Sequence, residues 1–405
     1  MTDTIKKLKE VNWDFSDYSR ARYPYDLNSI PWYPAMFVPA IPKFLIASLT
    51  KPGDVVFDPF GGSGTTLVES LKLNRTPVYN DLNSFAVDMV LSMLASIKHL
   101  NTSSKSFDLE VELKKLKEKY IDKSDIEKFI KSSGINKDVL DWYHIDTLIE
   151  ILSIINFIKL EQSDCLNNNI NLIRKLAVTS ILKTASSQPG HFTYVTDNCK
   201  PKNKVYKNAI NLYIEKLEQI FLSAEDFLIQ FNLLNSNVDI NKLLQKTIVK
   251  NGDARNLDWI DDKSIDLIVT SPPYLCSQDY IKTMRLINLF FPNEETFSNT
   301  VKDEIGPRAK RSGKSEVVVP KFYQDLGLVF NHIKRILKQN GYFCLVMGQG
   351  KSKITANYDI ILDLCEMIQH TYGFEKVFHQ RRNIVNREIP IGGVDKEDII
   401  IFQKV

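Results

Sequence analysis

The stretch "GDVVFDPFGGSGTTLVESLKL", Gly53 to Leu73, constrains the fold more than any other. An apolar run ends in Asp58, three glycines fill a turn, and an amphipathic segment follows, so the order is strand, tight turn, helix. "TPVYNDLNSFAVDMVLSMLASI" repeats the plan, with an acidic strand end at Asp81 and a helix starting near Ser84. Two successive βα units demand a parallel strand pair joined by a right-handed crossover, which implies a doubly wound α/β sheet. The rhythm then stops. From about Thr102 to Gln245 the signal is helical, including a long amphipathic run within "VYKNAINLYIEKLEQIFLSAEDFLIQFNLL". After Gln245 the βα pattern returns in "KTIVKNGDARNL" and "SIDLIVTSPPY", then helix, turn and strand in "VFNHIKRILKQNGYFCLVMG". "GFEKVFHQRRNIV" and "EDIIIFQKV" close the chain as antiparallel strands. The expected architecture is one α/β domain of residues 1–100 and 246–405, split by a helical insertion of residues 101–245. Residues 1–50 open as irregular, aromatic- and proline-rich chain and become helical near Pro42.

Composition excludes several alternatives. At 43% hydrophobic content, 405 residues suffice for one large core or two modest ones. No run has the apolar length of a membrane span, and "MTDTIKKLKEVNWD" lacks a signal peptide's apolar core. Cys165, Cys199, Cys276, Cys344 and Cys365 are scattered without a Cys-x-x-Cys pair. A reduced, cytoplasmic protein with no structural metal is expected. A net charge of +3 implies no polyanion partner by itself.

Two stretches carry chemistry. In "DPFGGSGT", Asp58, Pro59, Phe60, Gly61, Gly62, Ser63, Gly64 and Thr65 lead into a helix whose open N–H groups suit an anionic ligand group. Glycine there allows positive φ and close approach of a ligand to backbone. The turn is neither G-x-G-x-x-G nor a P-loop, since no lysine follows the glycines. A purely geometric βα turn would use the same glycines, but acidic strand ends at Asp58, Asp81 and, in "NGDAR", Asp253 beside Ala254 suit a nucleoside-containing ligand with an amino-bearing part. The second stretch is "SPPY": Ser271, Pro272, Pro273 and Tyr274. Two prolines end the strand "IDLIV" abruptly, leaving a hydroxyl acceptor on one side and an aromatic face on the other. Such a turn can hold a planar amine, whose conjugated lone pair becomes nucleophilic when acceptors draw its protons out of plane. A packed Pro-Pro turn is the plainer reading of that motif alone.

"DPFGGSGTT" together with "TSPPY" resembles the S-adenosylmethionine-dependent DNA amino-methyltransferases that make N4-methylcytosine or N6-methyladenine. The matching parts are about the first ninety residues and Thr247 to the C-terminus. The resemblance implies a Rossmann-like methyltransferase sheet, S-adenosylmethionine as cofactor and double-stranded DNA as substrate. It also implies a bacterial or phage restriction–modification setting, with a cognate endonuclease encoded nearby. Carried over, Asp58 and Gly61 to Gly64 would hold the methionine moiety, Asp81 the ribose hydroxyls and Asp253 the adenine. Ser271, Pro272 and Tyr274 would grip a flipped-out base. Serine before Pro-Pro-Tyr is more typical of cytosine-N4 enzymes in this family, and Asp or Asn of adenine-N6 enzymes. A C5-cytosine enzyme would need a Pro-Cys nucleophile, whereas Tyr274 follows Pro273; Cys276 reads as a loop or packing residue. An RNA base methyltransferase and a non-catalytic DNA-binding subunit are the other readings.

Phosphate grip is expected from basic stretches. These are "CKPKNK" (Lys200, Lys202, Lys204), "PRAKRSGK" (Arg308, Lys310, Arg311, Lys314) and "QRRNIVNR" (Arg381, Arg382, Arg387), each of which also reads as a solvated surface run. His191, Phe192 and Tyr194 interleave aromatics with polar groups in the insertion, and Asp279 and Arg285 follow the Ser-Pro-Pro-Tyr turn as candidate positioning residues or an ordinary surface pair.

Overall fold

A computed structural model of the chain describes residues 2–18, 22–30, 33, 36, 38–102, 107–161, 168–188, 200–277, 284–292, 304–307, 315–350, 354–384 and 394–405. Helices α1 (Thr2–Lys9) and α2 (Ala40–Leu49) precede β1 (Val55–Asp58), α3 (Thr65–Lys72), β2 (Thr76–Asp81) and α4 (Ser84–Thr102). Six helices follow: α5 (Leu109–Lys117), α6 (Ile126–Ser132), α7 (Ile145–Glu161), α8 (Asn168–Ala185), α9 (Ala209–Leu234) and α10 (Ile240–Lys246). The sheet resumes with β3 (Ile248–Asn251), β4 (Ile265–Thr270) and β5 (Leu337–Met347), then β6 (Phe374–Asn383) and β7 (Lys396–Lys404). Helices Arg285–Phe290, Ser315–Ile336 and Ile360–Glu366 lie between these later strands.

The seven strands form one sheet in the order β3-β2-β1-β4-β5-β7-β6. The first five are mutually parallel, and β7 runs antiparallel to both β5 and β6. This is the doubly wound, Rossmann-like α/β sheet that the βα rhythm implied. Strand order reverses between β1 and β4, so the crevice outside their carboxyl ends is the topological switch point where such sheets bind ligands. Side-chain alternation explains why the central strands read as unbroken apolar runs. Phe57, Ile268, Phe343, Leu345, Ile400 and Phe402 point to the face covered by Ser315–Ile336. Val56, Leu267, Val269, Cys344, Val346, Ile399 and Ile401 pack on the other face with Ile41, Leu45 and Ile46 of α2. Each such buried side chain contributes about 1.5–3 kcal/mol relative to exposure.

The insertion does not fold around a separate core. Leu67, Val68 and Leu71 of α3 and Met89, Val90 and Met93 of α4 share one apolar cluster with Trp142, Ile151, Leu176, Tyr213, Phe227 and Phe231. The expected boundaries at 100/101 and 245/246 therefore fall inside α4 and α10, helices that belong to both parts. Within that core Arg174 forks onto Glu112 at 2.7 and 2.6 Å, and the Tyr213 hydroxyl donates to the same carboxylate. The opening segment is more ordered than expected. Helix α1 is present, Trp13 is buried beside Phe378, and Asp14 accepts the Asn383 backbone N–H at 2.7 Å. No helix among the described residues is long and apolar enough to cross a membrane.

Candidate active site

The Gly-rich turn takes its shape from what lies behind it. A Cβ at Gly61 would sit 2.2 Å from the Tyr79 ring, so only glycine fits there. Gly62 and Gly64 have φ of +50° and +85°, a region other residues enter at a cost. The Tyr79 hydroxyl donates to the Gly62 carbonyl at 2.7 Å and fixes the turn against β2. Gly64 caps α3 without a side-chain hydrogen bond, so no cap side chain occupies the first N–H groups of that helix. Tyr33, from the opening segment, lies against Gly62 on the other side.

Asp58 is buried, and both its oxygens are engaged. Oδ1 accepts from Thr270 Oγ1 at 2.6 Å and from the Phe60 N–H at 3.1 Å; Oδ2 accepts from Thr66 Oγ1 at 2.7 Å. Thr66 lies in α3, and Thr270 is the last residue of β4 before Ser271. One carboxylate therefore locks the Gly-rich turn to the strand that carries Ser-Pro-Pro-Tyr. Asp81 does comparable work on β2, accepting from the Gly62 and Asn83 N–H groups, each at 2.8 Å. Burial pushes the pKa of both carboxyls up to about 6, against the opposing pull of those hydrogen bonds. Asp253 stands on the loop after β3, a loop anchored to β2 by the Gly252 N–H on the Asp81 carbonyl at 3.0 Å. Its carboxylate is forked by Arg255, with the closest approach 2.6 Å, and Arg255 also bonds Asp325 at 3.0 Å. Ala254 is buried under this loop. The three acidic strand ends are thus neighbours.

Ser271, Pro272, Pro273 and Tyr274 leave β4 at the same edge. Ser271 is partly exposed and donates from Oγ to the Tyr274 hydroxyl at 3.2 Å. That hydroxyl donates onward to Glu397 Oε1 on β7 at 3.0 Å. The Tyr274 ring packs edge-on against Gly348, where a Cβ would meet Cε2 at 3.1 Å. Cys276 is buried in the adjoining core with φ of +57°, a packing residue as read from the sequence.

The basic residues distribute differently. Arg382 was read as a phosphate contact, but it is only 3% exposed and bonds Glu397 Oε2 at 2.9 Å, so it faces inward and not toward a ligand backbone. It lies on the strand face of Phe378, which burial of β6 turns into the protein. Arg381, its neighbour on the opposite face, is exposed yet bonded to Asp398 at 3.1 Å, and it borders a cavity of about 480 Å³ that Asp359, Asp395 and Asp398 also line. Lys200 pairs with Asp141 at 2.6 Å, while Lys202 is exposed. Arg285 pairs with Asp138 at 3.4 Å. Arg308, Lys310, Arg311, Lys314, Arg387, His191, Phe192, Tyr194 and Asp279 lie outside the described residues.

Sequence reading missed the residues that join the strand ends. Asn80, fully buried, donates to the Pro59 carbonyl at 3.1 Å and the Gly252 carbonyl at 2.9 Å, tying the β1 turn to the β3 turn. Thr66, Thr270 and Glu397 were passed over for the same reason. The only local signal was Asn80 beside Asp81 in "YND" and Thr270 in "TSPPY"; their partners are distant in sequence.

A family model described as DNA methylase, of the N6/N4 group, matches residues 2–93. The Type II methyltransferase M.MjaII of Methanocaldococcus jannaschii is 23% identical over 85% of this chain and 76% of its own length. The Type II methyltransferase M.MvaI of Kocuria varians is 22% identical over 88% of this chain and 84% of its own. Among solved structures, a SAM-dependent methyltransferase from Methanosarcina mazei aligns at 11% identity, covering 93% of this chain and 99% of that one, with a TM-score of 0.33. The chain is thus similar to N6/N4 DNA methylases over residues 2–93 and to these Type II methyltransferases over most of its length.

Proposed function

We propose that the protein transfers a methyl group from S-adenosylmethionine to the exocyclic N4 amine of a cytosine flipped out of double-stranded DNA. The observation that carries this reading is the Asp58 lock, which places a Gly-rich turn and a Ser-Pro-Pro-Tyr turn side by side at the switch point. The residues fit the cofactor: positive φ at Gly62 and Gly64 folds the backbone into a tight turn with no side chain at either position, and the uncapped start of α3 suits a carboxylate. The carboxyls of buried Asp58 and half-buried Asp81 suit hydrogen bonds from an amino group and from ribose hydroxyls. When bound, S-adenosylmethionine supplies a methyl group activated by an adjacent sulfonium.

The chain's own part is orientation. Ser271 Oγ accepts a proton of the target amine by hydrogen bond and turns the nitrogen lone pair toward the crevice, while Pro272 and Pro273 keep that oxygen from shifting. The helical core continuous with the sheet, and exposed Lys202 beside it, form the side on which the duplex is read. The Type II names of the relatives fit a restriction–modification setting, in which the mark protects host DNA from a companion endonuclease.

Nucleosides from DNA of cells making the protein, analysed by mass spectrometry beside a Ser271→Ala control, test this reading. N4-methylcytosine is expected with the unaltered protein only, and Ser271→Ala lowers the rate by at least about a hundredfold with cofactor binding retained. N6-methyladenine would keep the mechanism and overturn the choice of base; no methylated base in DNA would overturn the function.

A further inference from the structure

Glu397 lies 123 residues from Tyr274 in sequence, on a strand outside both recognised motifs, yet it is the far end of a hydrogen-bond line that starts at Ser271. Ser271 Oγ donates to the Tyr274 hydroxyl, the hydroxyl donates to Glu397 Oε1, and Arg382 Nη1 donates to Glu397 Oε2. Tyr274, Glu397 and Arg382 are 7%, 4% and 3% exposed, so water does not compete along the inner links. Glu397 and Arg382 face each other directly in the β6–β7 register. Arg382 also reaches the Asp14 carbonyl at 3.4 Å, which ties the line to the opening segment.

We propose that Glu397 and Arg382 are positioning residues that set the direction of the hydroxyl protons and thereby make Ser271 an acceptor toward the target amine. This rests on the methyl-transfer reading above. An ionised carboxylate accepts and cannot donate, so it draws the single Tyr274 O–H proton toward itself. The Tyr274 oxygen then presents a lone pair to Ser271, which spends its own single proton on it. The outward side of Ser271 Oγ is left with lone pairs alone. That polarity suits an N–H donor and opposes a carbonyl oxygen at the same place, so the line selects an exocyclic amine over a keto group. The buried pair is poor as a source of stability, since removing two charges from water offsets most of their attraction, whereas orienting a neighbour is a use that a buried ion pair serves well.

The test is a double-mutant cycle on the purified full chain, with unmethylated DNA and S-adenosylmethionine, using Glu397→Gln, Tyr274→Phe and the two together. Glutamine keeps the size but offers an N–H₂ that can reverse the line. Glu397→Gln is expected to lower kcat roughly tenfold, with KM for S-adenosylmethionine and its thermal shift unchanged. The double variant is expected to be no slower than Tyr274→Phe, because Glu397 acts only through that hydroxyl. Independent, multiplying losses, or an unchanged kcat in Glu397→Gln, would overturn the proposal. If Glu397→Gln loses its wild-type melting point, Tyr274→Phe decides alone, since it leaves the Arg382–Glu397 pair intact: a lowered kcat supports the line and a full kcat overturns it. A wild-type protein that methylates no DNA base would sink the methyl-transfer reading itself, before any variant is compared.

Discussion

The carboxylates at the two ends of the crevice are satisfied in opposite ways. At the β1–β2 end, buried Asp58 and half-buried Asp81 receive hydrogen bonds from threonine hydroxyls and backbone N–H groups, with no cation bonded to either among the described residues. At the β6–β7 end, Asp398 is as buried as Asp58 but accepts from His379 at 2.7 Å and Arg381 at 3.1 Å, and Glu397 accepts from Arg382. Burial pushes all of the aspartates upward; only at Asp398 do the hydrogen bonds from His379 and Arg381 outweigh it and leave the pKa below the ordinary value. Asp58 and Asp81 stay near 6. Neutral donors leave a carboxylate ready to respond to a ligand, whereas a guanidinium commits it to a fixed charge. The first end is built to receive something positive or hydroxyl-bearing, the second to hold a geometry.

The largest effect is expected from breaking the neutral-donor end. Asp58→Ala removes the acceptor of Thr66, Thr270 and the Phe60 N–H at once, leaving buried donors unpaired at about 1–3 kcal/mol each. Calorimetric titration should show S-adenosylmethionine affinity falling more than about tenfold, and the melting point should drop with it. Unchanged binding would mean that the lock is dispensable.

A titration sharpens the contrast. Because the pKa values of Asp58 and Asp81 are raised, the unliganded fold takes up protons before the unfolded chain does. Their contribution to stability is complete below the ordinary carboxyl pKa and is lost as pH rises through about 6. Ligand donors need the ionised form, so cofactor affinity should fall as pH drops through about 6, approaching about tenfold per unit for each carboxyl. Asp81→Asn should flatten part of that dependence. A profile level from pH 7 to 5 would remove the distinction between the two ends.

The smallest effect is expected at Arg381. Its side chain is 58% exposed and His379 remains on Asp398 without it, so Arg381→Ala should change stability by less than about 1 kcal/mol. Its charge is already compensated by the surrounding aspartates, and the salt dependence of DNA affinity should not change. A salt slope lower by about one unit would restore it as a phosphate contact.

Much of the architecture was legible in the chain because it is local. Apolar runs of β4 and β7 bounded by turn residues, helical spacing in α9, and glycines at Gly61 to Gly64 each report on a few consecutive residues. The parallel, doubly wound character of the sheet and its antiparallel final strands followed from the βα rhythm, and the acidic strand ends were visible as Asp58, Asp81 and Asp253. Arg382 shows where such reading stops. "HQRRN" reads as a basic surface run, and nothing in those letters tells Arg381 from Arg382. Only the register with β7, which sets Glu397 opposite Arg382, and the burial of that strand face make one an exposed rim charge and the other the anchor of an internal line.

Local sequence suffices for the doubly wound sheet, the glycine turn and the rigid Ser-Pro-Pro-Tyr turn, since torsional limits of glycine and proline and the period of apolar residues act within a few residues. Tertiary structure alone decided that Asp58 joins the two turns, that Asn80 clamps two loops, and that Glu397 orients Tyr274. Those links span 21 to 212 residues and depend on which strands become neighbours. Hydrogen bonds are short and directional, so a partner hundreds of residues away is specified only once the sheet has brought the two strands' ends together.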